Sequence, residues 1–353
     1  MNLTDFNYIL PENLIGQKAI EPRDSCRLLV VDRQNKNISH HIFSDLDNIL
    51  DKNTVLVLND TKVFPARLFG HKDTGGKIEV LLLKQTSIDS YRCLVRGKVK
   101  QDTKLVFSDD FYGLVTSIEE DGEVNITFNV SGIELIEKID KEGKTPLPPY
   151  IHSDEKETNL RQQYQTVYAR EKGSAAAPTA GLHFTDKLLN DLNNKGVEIE
   201  KVTLHVGLGT FKPVTDEQVA TQTLHSESFY ISEESANKLN QAKKDGKKII
   251  AVGTTSARLL ETLSDEEGII HPGQGETKIF IQPGYKFKFV DGLITNFHLP
   301  STSLLMLVSA LTLSPNTQEE FLNFQESLIG KAYQEAIKEE YKFFSFGDAM
   351  LVI

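Results

Sequence analysis

The feature that most restricts the fold is a change of hydrophobic period partway along the chain. Residues 26–59 read as a strand (CRLLVVD), a short helix beginning near Ser44 and a second strand (TVLVLN), the pattern of an α/β unit. From Lys77 to Asn129 the runs KIEVLLLK, SYRCLVR, TKLVF, FYGLVTSI and EVNITFN follow one another with no obvious long helix. Asp121-Gly122, between the last two, is a hairpin dipeptide. Such a stretch is expected to form a small antiparallel barrel, and KTPLPPY (144–150) closes it, because consecutive prolines forbid helix and favour extended chain.

Beyond the prolines, helices and strands alternate again. Thr185 is placed to cap a helix whose Leu188, Leu189 and Leu192 share a face and which Gly196 ends. Ser232 opens another, with Glu233 and Glu234 suiting its N-terminal dipole and Gly246 stopping it before the strand KKIIAVG. TTSARLLETL, TKIFI, GLITNF, a helix around Leu304–Leu311, further helices and a final FFSFGDAMLVI complete the set. The expected architecture is an α/β main domain formed from both chain ends (1–63 plus 149–353) with an inserted all-β barrel domain (64–148).

A chain of 353 residues suits two such domains and needs neither a staple nor a metal for stability. Cys26 and Cys93 stand alone, which fits a reducing compartment and predicts a cytoplasmic location; no export signal or membrane span is evident. The net charge of -11 argues at first against a nucleic-acid partner. Yet residues 59–104 carry ten Lys/Arg against five Asp/Glu, while residues 106–142 carry two Lys against ten Asp/Glu. An acidic stretch thus masks a basic one, which reads either as a solvated strand face or as a local polyphosphate surface.

Short nucleotide-binding patterns fail. Gly207-Leu208-Gly209-Thr210 follows a strand, but Lys212 stands where G-x-G-x-x-G needs its third glycine, and VGTTSAR (252–258) lacks the ending of a P-loop. GSAAAPTAGLH (173–183) is more informative, since small side chains let backbone approach a ligand while Thr179 and His183 bring polar groups to it. His205, Gly253-Thr254-Thr255 and His298 each follow a strand, and in α/β proteins ligands bind at the carboxyl ends of strands, so these loops are expected to converge. The histidines are too scattered for a metal site.

Longer blocks carry a family resemblance: NDTKVFPAR (59–67), TGGKIEVL (74–81), AAPTAGLHF (176–184), VTLHVGLGTF (202–211), HSE (225–227), AVGTTS (251–256), DGLITNFHLP (291–300) and FSFGDAML (344–351). Together they resemble the S-adenosylmethionine:tRNA ribosyltransferase-isomerase family of queuosine biosynthesis. The resemblance implies transfer of the ribosyl part of S-adenosylmethionine onto 7-aminomethyl-7-deazaguanine at the tRNA wobble position, giving epoxyqueuosine-tRNA, adenine and methionine. It implies no metal or redox cofactor, S-adenosylmethionine being consumed as a substrate, and a monomer is expected. Where the family usually has Lys after the Leu-Pro of the FHLP block, this chain has Ser301.

That chemistry asks for a base beside the sulfonium, a donor for departing adenine and polar groups to hold the opening sugar. Asp60, His183, His205 and His298 are the catalytic candidates, with His183 or His205 preferred because an imidazole pKa of about 6.5 suits proton transfer. Pro178, Thr179, Gly181, Gly207, Gly209, Thr254 and Thr255 are expected around S-adenosylmethionine, the glycines otherwise serving turn geometry. Lys62, Arg67, Arg92 and Arg96 are expected tRNA contacts. Two alternatives stay open: an S-adenosylmethionine-dependent RNA methyltransferase, and a non-catalytic tRNA-binding protein.

Overall fold

The computed structural model describes residues 2–119, 122–207 and 214–353. Gly209 and Asp121 lie outside the described residues. Among those described, the α/β body is built on a nine-stranded mixed sheet in the order Gly273–Ile279, Thr223–Ile231, Glu198–Leu204, Thr54–Asn59, Lys248–Val252, Gly292–Asn296, Ala349–Val352, Arg27–Asp32, Asn37–Ile42. The last strand pairs in parallel with Arg27–Asp32, so both chain ends meet in one sheet. Four strands at its centre, Glu198–Leu204, Thr54–Asn59, Lys248–Val252 and Gly292–Asn296, are mutually parallel and therefore end at one edge.

Both faces of this sheet are covered, which explains why TVLVLN reads as an unbroken apolar run. Leu29, Val31, Val55 and Val57 enter one core with the helices Thr254–Leu263, Ser303–Thr312 and Leu328–Lys338; Leu28, Val30, Leu56 and Leu58 enter a second core with Phe184, Leu188 and Leu192. The expected caps form: Thr185 Oγ1 accepts from Leu188 N at 3.1 Å and Ser232 Oγ from Ser235 N at 3.1 Å. Leu189 is only half-buried.

The inserted segment is a closed antiparallel barrel of six strands among the described residues, Arg67–Lys72, Lys77–Ser87, Ser90–Arg96, Lys104–Ser108, Phe111–Ile118 and Val124–Phe128. Two features depart from the sequence reading. Arg67–Lys72 adds a strand, hard to see because Leu68 is its only buried residue. An α-helix occupies Gly132–Glu142, where only Leu135 and Ile139 are buried, filling the barrel core, and the surrounding acidic residues obscure that narrow stripe.

The chain enters and leaves the barrel through one seam. Arg67 and Lys144 exchange backbone hydrogen bonds of 3.2 and 2.8 Å. Arg67 then ties the seam with its side chain, donating to Glu79 and, at 2.9 Å, to the Leu147 carbonyl. Gly143 sits where a Cβ would come within 2.1 Å of the Pro65 carbonyl oxygen and 2.5 Å of that of Ile139. Gly143→Ala is therefore expected to overpack the seam and cost about 1–3 kcal/mol, read as a lowered unfolding midpoint in thermal denaturation.

Candidate active site

The carboxyl ends of the parallel strands, with loops that follow them, enclose a cavity of about 360 Å³, within the roughly 300–1,000 Å³ range of small-molecule sites. Ala176–Ala180, Gly253–Thr255, Thr295–Thr302, Tyr150 and Phe344–Ser345 contribute to its lining. The alanines present little more than backbone. Gly253 (φ 87°) turns the chain from strand into the helix Thr254–Leu263, whose N-terminal amides, the positive end of its dipole, start at the cavity wall. Tyr150 and Phe344 stack with ring centroids 4.5 Å apart, and Tyr150 is oriented by a 2.8 Å bond to Ser345 Oγ.

Polar chemistry is concentrated at three points. Thr255 Oγ1 accepts from Asn59 Nδ2 at 3.3 Å, which leaves its own proton to donate. His298 is held at Nε2 by Thr295 Oγ1, 2.8 Å away, with its backbone fixed by the Tyr8 and Tyr333 hydroxyls. Burial pushes its pKa down to about 3, so the imidazole is neutral near pH 7. The third point is Asn296, whose Oδ1 accepts from Thr179 Oγ1 at 3.2 Å while Nδ2 donates to His183 Nε2 at 2.9 Å and to the Phe344 carbonyl at 3.0 Å.

His183 itself faces away from the cavity. Since Asn296 donates to its Nε2, the ring proton sits on Nδ1, 3.2 Å from Cys26 Sγ. Burial, reinforced by the positive Arg23, lowers its pKa to about 4.

A second cavity of about 660 Å³ lies between barrel and sheet and shares Val206 with the first. His205, Gly173, Gly207, Arg92 and Glu227 line it. His205 Nδ1 is 2.8 Å from Thr61 Oγ1, and burial lowers its pKa against the opposing pull of Glu171 and Asp60. Gly173 is required here: a Cβ would fall 2.8 Å from the His205 ring. Glu227, buried and ion-paired with Arg258, accepts the Gly207 amide at 3.1 Å and so anchors the start of the glycine loop to the helix behind the first cavity.

The family-model description "Queuosine biosynthesis protein" matches residues 3–352. Relatives named S-adenosylmethionine:tRNA ribosyltransferase-isomerase from Symbiobacterium thermophilum and Clostridioides difficile are 49% and 50% identical, each covering 100% of both chains. The chain belongs to the queuosine biosynthesis protein family. A crystal structure of S-adenosylmethionine tRNA ribosyltransferase from Thermotoga maritima, 34% identical, covers 99% of this chain and 100% of its own with a TM-score of 0.54.

In this family member, Pro178, Thr179, Thr254, Thr255, His298 and Ser301 come together around the first cavity, whereas Gly207, His205 and Arg92 face the second. Gly181 packs beneath the Tyr168 ring and lines neither. Asp60 is buried between the strands Thr54–Asn59 and Thr61–Val63 and lines neither cavity, accepting from Thr203 Oγ1 at 2.7 Å and lying 3.3 Å from Arg170, and burial raises its pKa. Arg67 is committed to the seam, Arg92 pairs with Glu123 at 3.5 Å, and Arg96 is exposed and lines neither cavity. Asn296, Tyr150 and Phe344 escaped the sequence reading. Asn296 sits two residues before His298 at the end of a strand, which was a usable signal; Tyr150 was hidden in a segment read as a joint.

The buried neutral histidines set an acid limit on stability. Both folded pKa values lie below the unfolded value of about 6.5, so the unfolded chain binds the extra protons first. Their contribution is complete above pH about 6.5 and declines as pH falls toward about 4 for His183 and about 3 for His298. The unfolding midpoint is expected to drop across pH 6.5 to 4, with a shallower drop in His183→Gln; an equal drop in that variant would contradict the assignment.

Proposed function

We propose that this protein is a cytoplasmic transferase that moves and isomerises the ribosyl part of S-adenosylmethionine onto 7-aminomethyl-7-deazaguanine at the tRNA wobble position, releasing adenine and methionine. The observation that carries the reading is the pair of cavities meeting at Val206, one small and largely apolar, the other wider, of mixed polarity and lined in part by the barrel. A two-substrate reaction between a small sulfonium and a nucleotide needs two such compartments with a common wall. S-adenosylmethionine occupies the first and is consumed, so no resident cofactor is required.

In the first cavity, the N-terminal amides at Thr254 and Thr255 suit the methionine carboxylate. The Tyr150 and Phe344 rings offer faces to adenine or to the sulfonium. The Ala176–Ala180 backbone approaches the sugar, with Thr179 held by Asn296. His298 is the best placed base by geometry, since with Nε2 bonded to Thr295 it keeps Nδ1 for the cavity, while the burial that holds it neutral also weakens it as a base. Thr255 offers a hydroxyl hydrogen bond to the departing purine.

In the second cavity, Tyr91 and Phe64 provide apolar and stacking surface for the extruded wobble base. His205, fixed to Thr61, stands beside the route between the two.

The deciding experiment incubates the protein with S-adenosylmethionine labelled separately in adenine and methionine and with precursor-bearing tRNA. Free adenine and methionine are expected. S-adenosylhomocysteine would instead indicate a methyltransferase, and retention of tRNA with no consumption a binding protein. His298→Gln is expected to lower single-turnover rate roughly a hundredfold or more with folding intact; a near-wild-type rate would remove it from the role of base.

A further inference from the structure

A two-stranded parallel ladder, Thr61–Val63 with Glu171–Ser174, lies beneath the barrel beside the seam. Its register sets Lys62 directly beside Lys172. Neighbouring strands run about 4.8 Å apart, and register partners project from the same face, so two ammonium groups share one small area. Both line a third cavity, of about 520 Å³, between barrel and α/β body.

The surroundings relieve this like-charge pairing only in part. Arg161, in the same cavity, is paired with Glu157 at 3.0 Å and Arg23 is bound to the Gln162 and Gln165 carbonyls, which leaves Asp140 as the carboxylate of the lining that faces the two lysines. Asp140 reaches Lys172 only at 3.8 Å, with both side chains largely exposed, while Lys62 has no ion-pair partner among the described residues. Thr166, 4% exposed, lines this cavity with a buried hydroxyl that has no hydrogen-bond partner.

The ladder is held firmly despite the repulsion. The Asp60 carbonyl accepts from the amides of Arg170 and Glu171 at 2.8 and 3.2 Å. The Gln165 side chain makes two 3.1 Å hydrogen bonds to the backbone of Val63, acting as a third strand at the free edge. A fixed backbone that holds an unpaired Lys62 beside a weakly paired Lys172, with the Thr166 hydroxyl at the same cavity, is a preorganised anion site.

We propose that Lys62 and Lys172 clamp one backbone phosphodiester of single-stranded RNA, next to the nucleotide that enters the second cavity. The two cavities share Phe64, Asp140 and Lys172, so the phosphate lies one short step from the base pocket. This subsite rests on the tRNA reading above and makes it specific: the ligand is the anticodon-loop backbone, and Lys172, which lies outside the basic stretch of the sequence, is half of the clamp.

The test measures binding of a precursor-bearing anticodon stem–loop to the full chain across a salt series, for wild type, each single Lys→Ala variant and the double variant. One lost contact to a single strand lowers the slope of log affinity against log salt by about 0.7, so the deficit of the double variant shrinks roughly 2.6-fold between 50 and 200 mM salt. Each single variant falls between wild type and double. Removing two repelling charges leaves the unfolding midpoint of the double variant equal to or above wild type, which a structural role would not, and its affinity for S-adenosylmethionine is unchanged.

A double variant with an undiminished slope overturns the clamp, as does one that loses S-adenosylmethionine affinity instead. A slope reduced by twice the expected amount assigns the lysines to separate phosphates and overturns the shared site. Failure of the wild type to bind the stem–loop would sink the tRNA reading itself, a result distinct from any of these.

Discussion

The amide of Asn59 is the interaction on which most of the site depends. It is fully buried at the carboxyl end of the central strand, and all four of its hydrogen-bonding positions are used. Oδ1 accepts from the amides of Leu204 and Thr61, and Nδ2 donates to the Leu204 carbonyl and to Thr255 Oγ1. One side chain thereby fixes the strand that delivers His205 and Val206, the helix start at the wall of the first cavity, and the ladder that carries Lys62. An apolar residue there would leave the Leu204 and Thr61 groups unpaired, and buried orphan groups cost about 1–3 kcal/mol each. Asp60 extends the same joint, its carbonyl supporting the second strand of the ladder.

Around this joint the interior uses neutral polar groups and leaves charge at the margins. Cys26, His183, Asn296 and Thr179 form one chain of hydrogen bonds from the second core to the cavity wall, and Thr295 with His298 a shorter one. Desolvation keeps both imidazoles uncharged, which is the inexpensive way to bury them. His183 then orients the Asn296 amide, so Thr179 is aimed by a residue that never meets the ligand. A sulfonium arriving in such a pocket meets neutral acceptors and aromatic faces, with no imidazolium to repel it. Where charge is buried it holds backbone in place: the Glu227–Arg258 pair holds Gly207, and Glu261 accepts from the amides of Lys288, Phe289 and Val290.

The architecture was legible because burial on two faces and burial on one leave different periods, and the switch between them marked the insertion. Caps at Thr185 and Ser232 were legible for the same local reason: a hydroxyl three residues before an orphan amide. The convergence of Thr254, Thr255 and His298 followed from their places after strands that are parallel, whereas His205, expected with them, faces the second cavity. What could not be read is pairing across the chain. Nothing in the local sequence says that Arg67 meets Glu79 and the Leu147 carbonyl, that His183 turns its back on the cavity, or that Lys62 lies beside Lys172. Each depends on register between segments 12 to more than 100 residues apart. Residue type limits what a side chain is able to do, and register decides which it does.

Charge illustrates the point most sharply. The net value of -11 and the basic stretch at 59–104 both mislead if taken alone, because several cations of that stretch are already spent: Arg67 on Glu79, Lys84 on Glu276, Arg92 on Glu123. A pair neutralised by its own carboxylate adds little attraction for a polyanion, whereas two adjacent lysines that share only Asp140, 3.8 Å from one of them, add more. The same repulsion that costs folding energy at the Lys62–Lys172 ladder is relieved only when an anion arrives, so the cost is returned as binding energy at that one place. An acidic surface elsewhere then works in the same direction, since a polyanion repelled from most faces of the molecule is steered toward the cleft that holds Lys62 and Lys172.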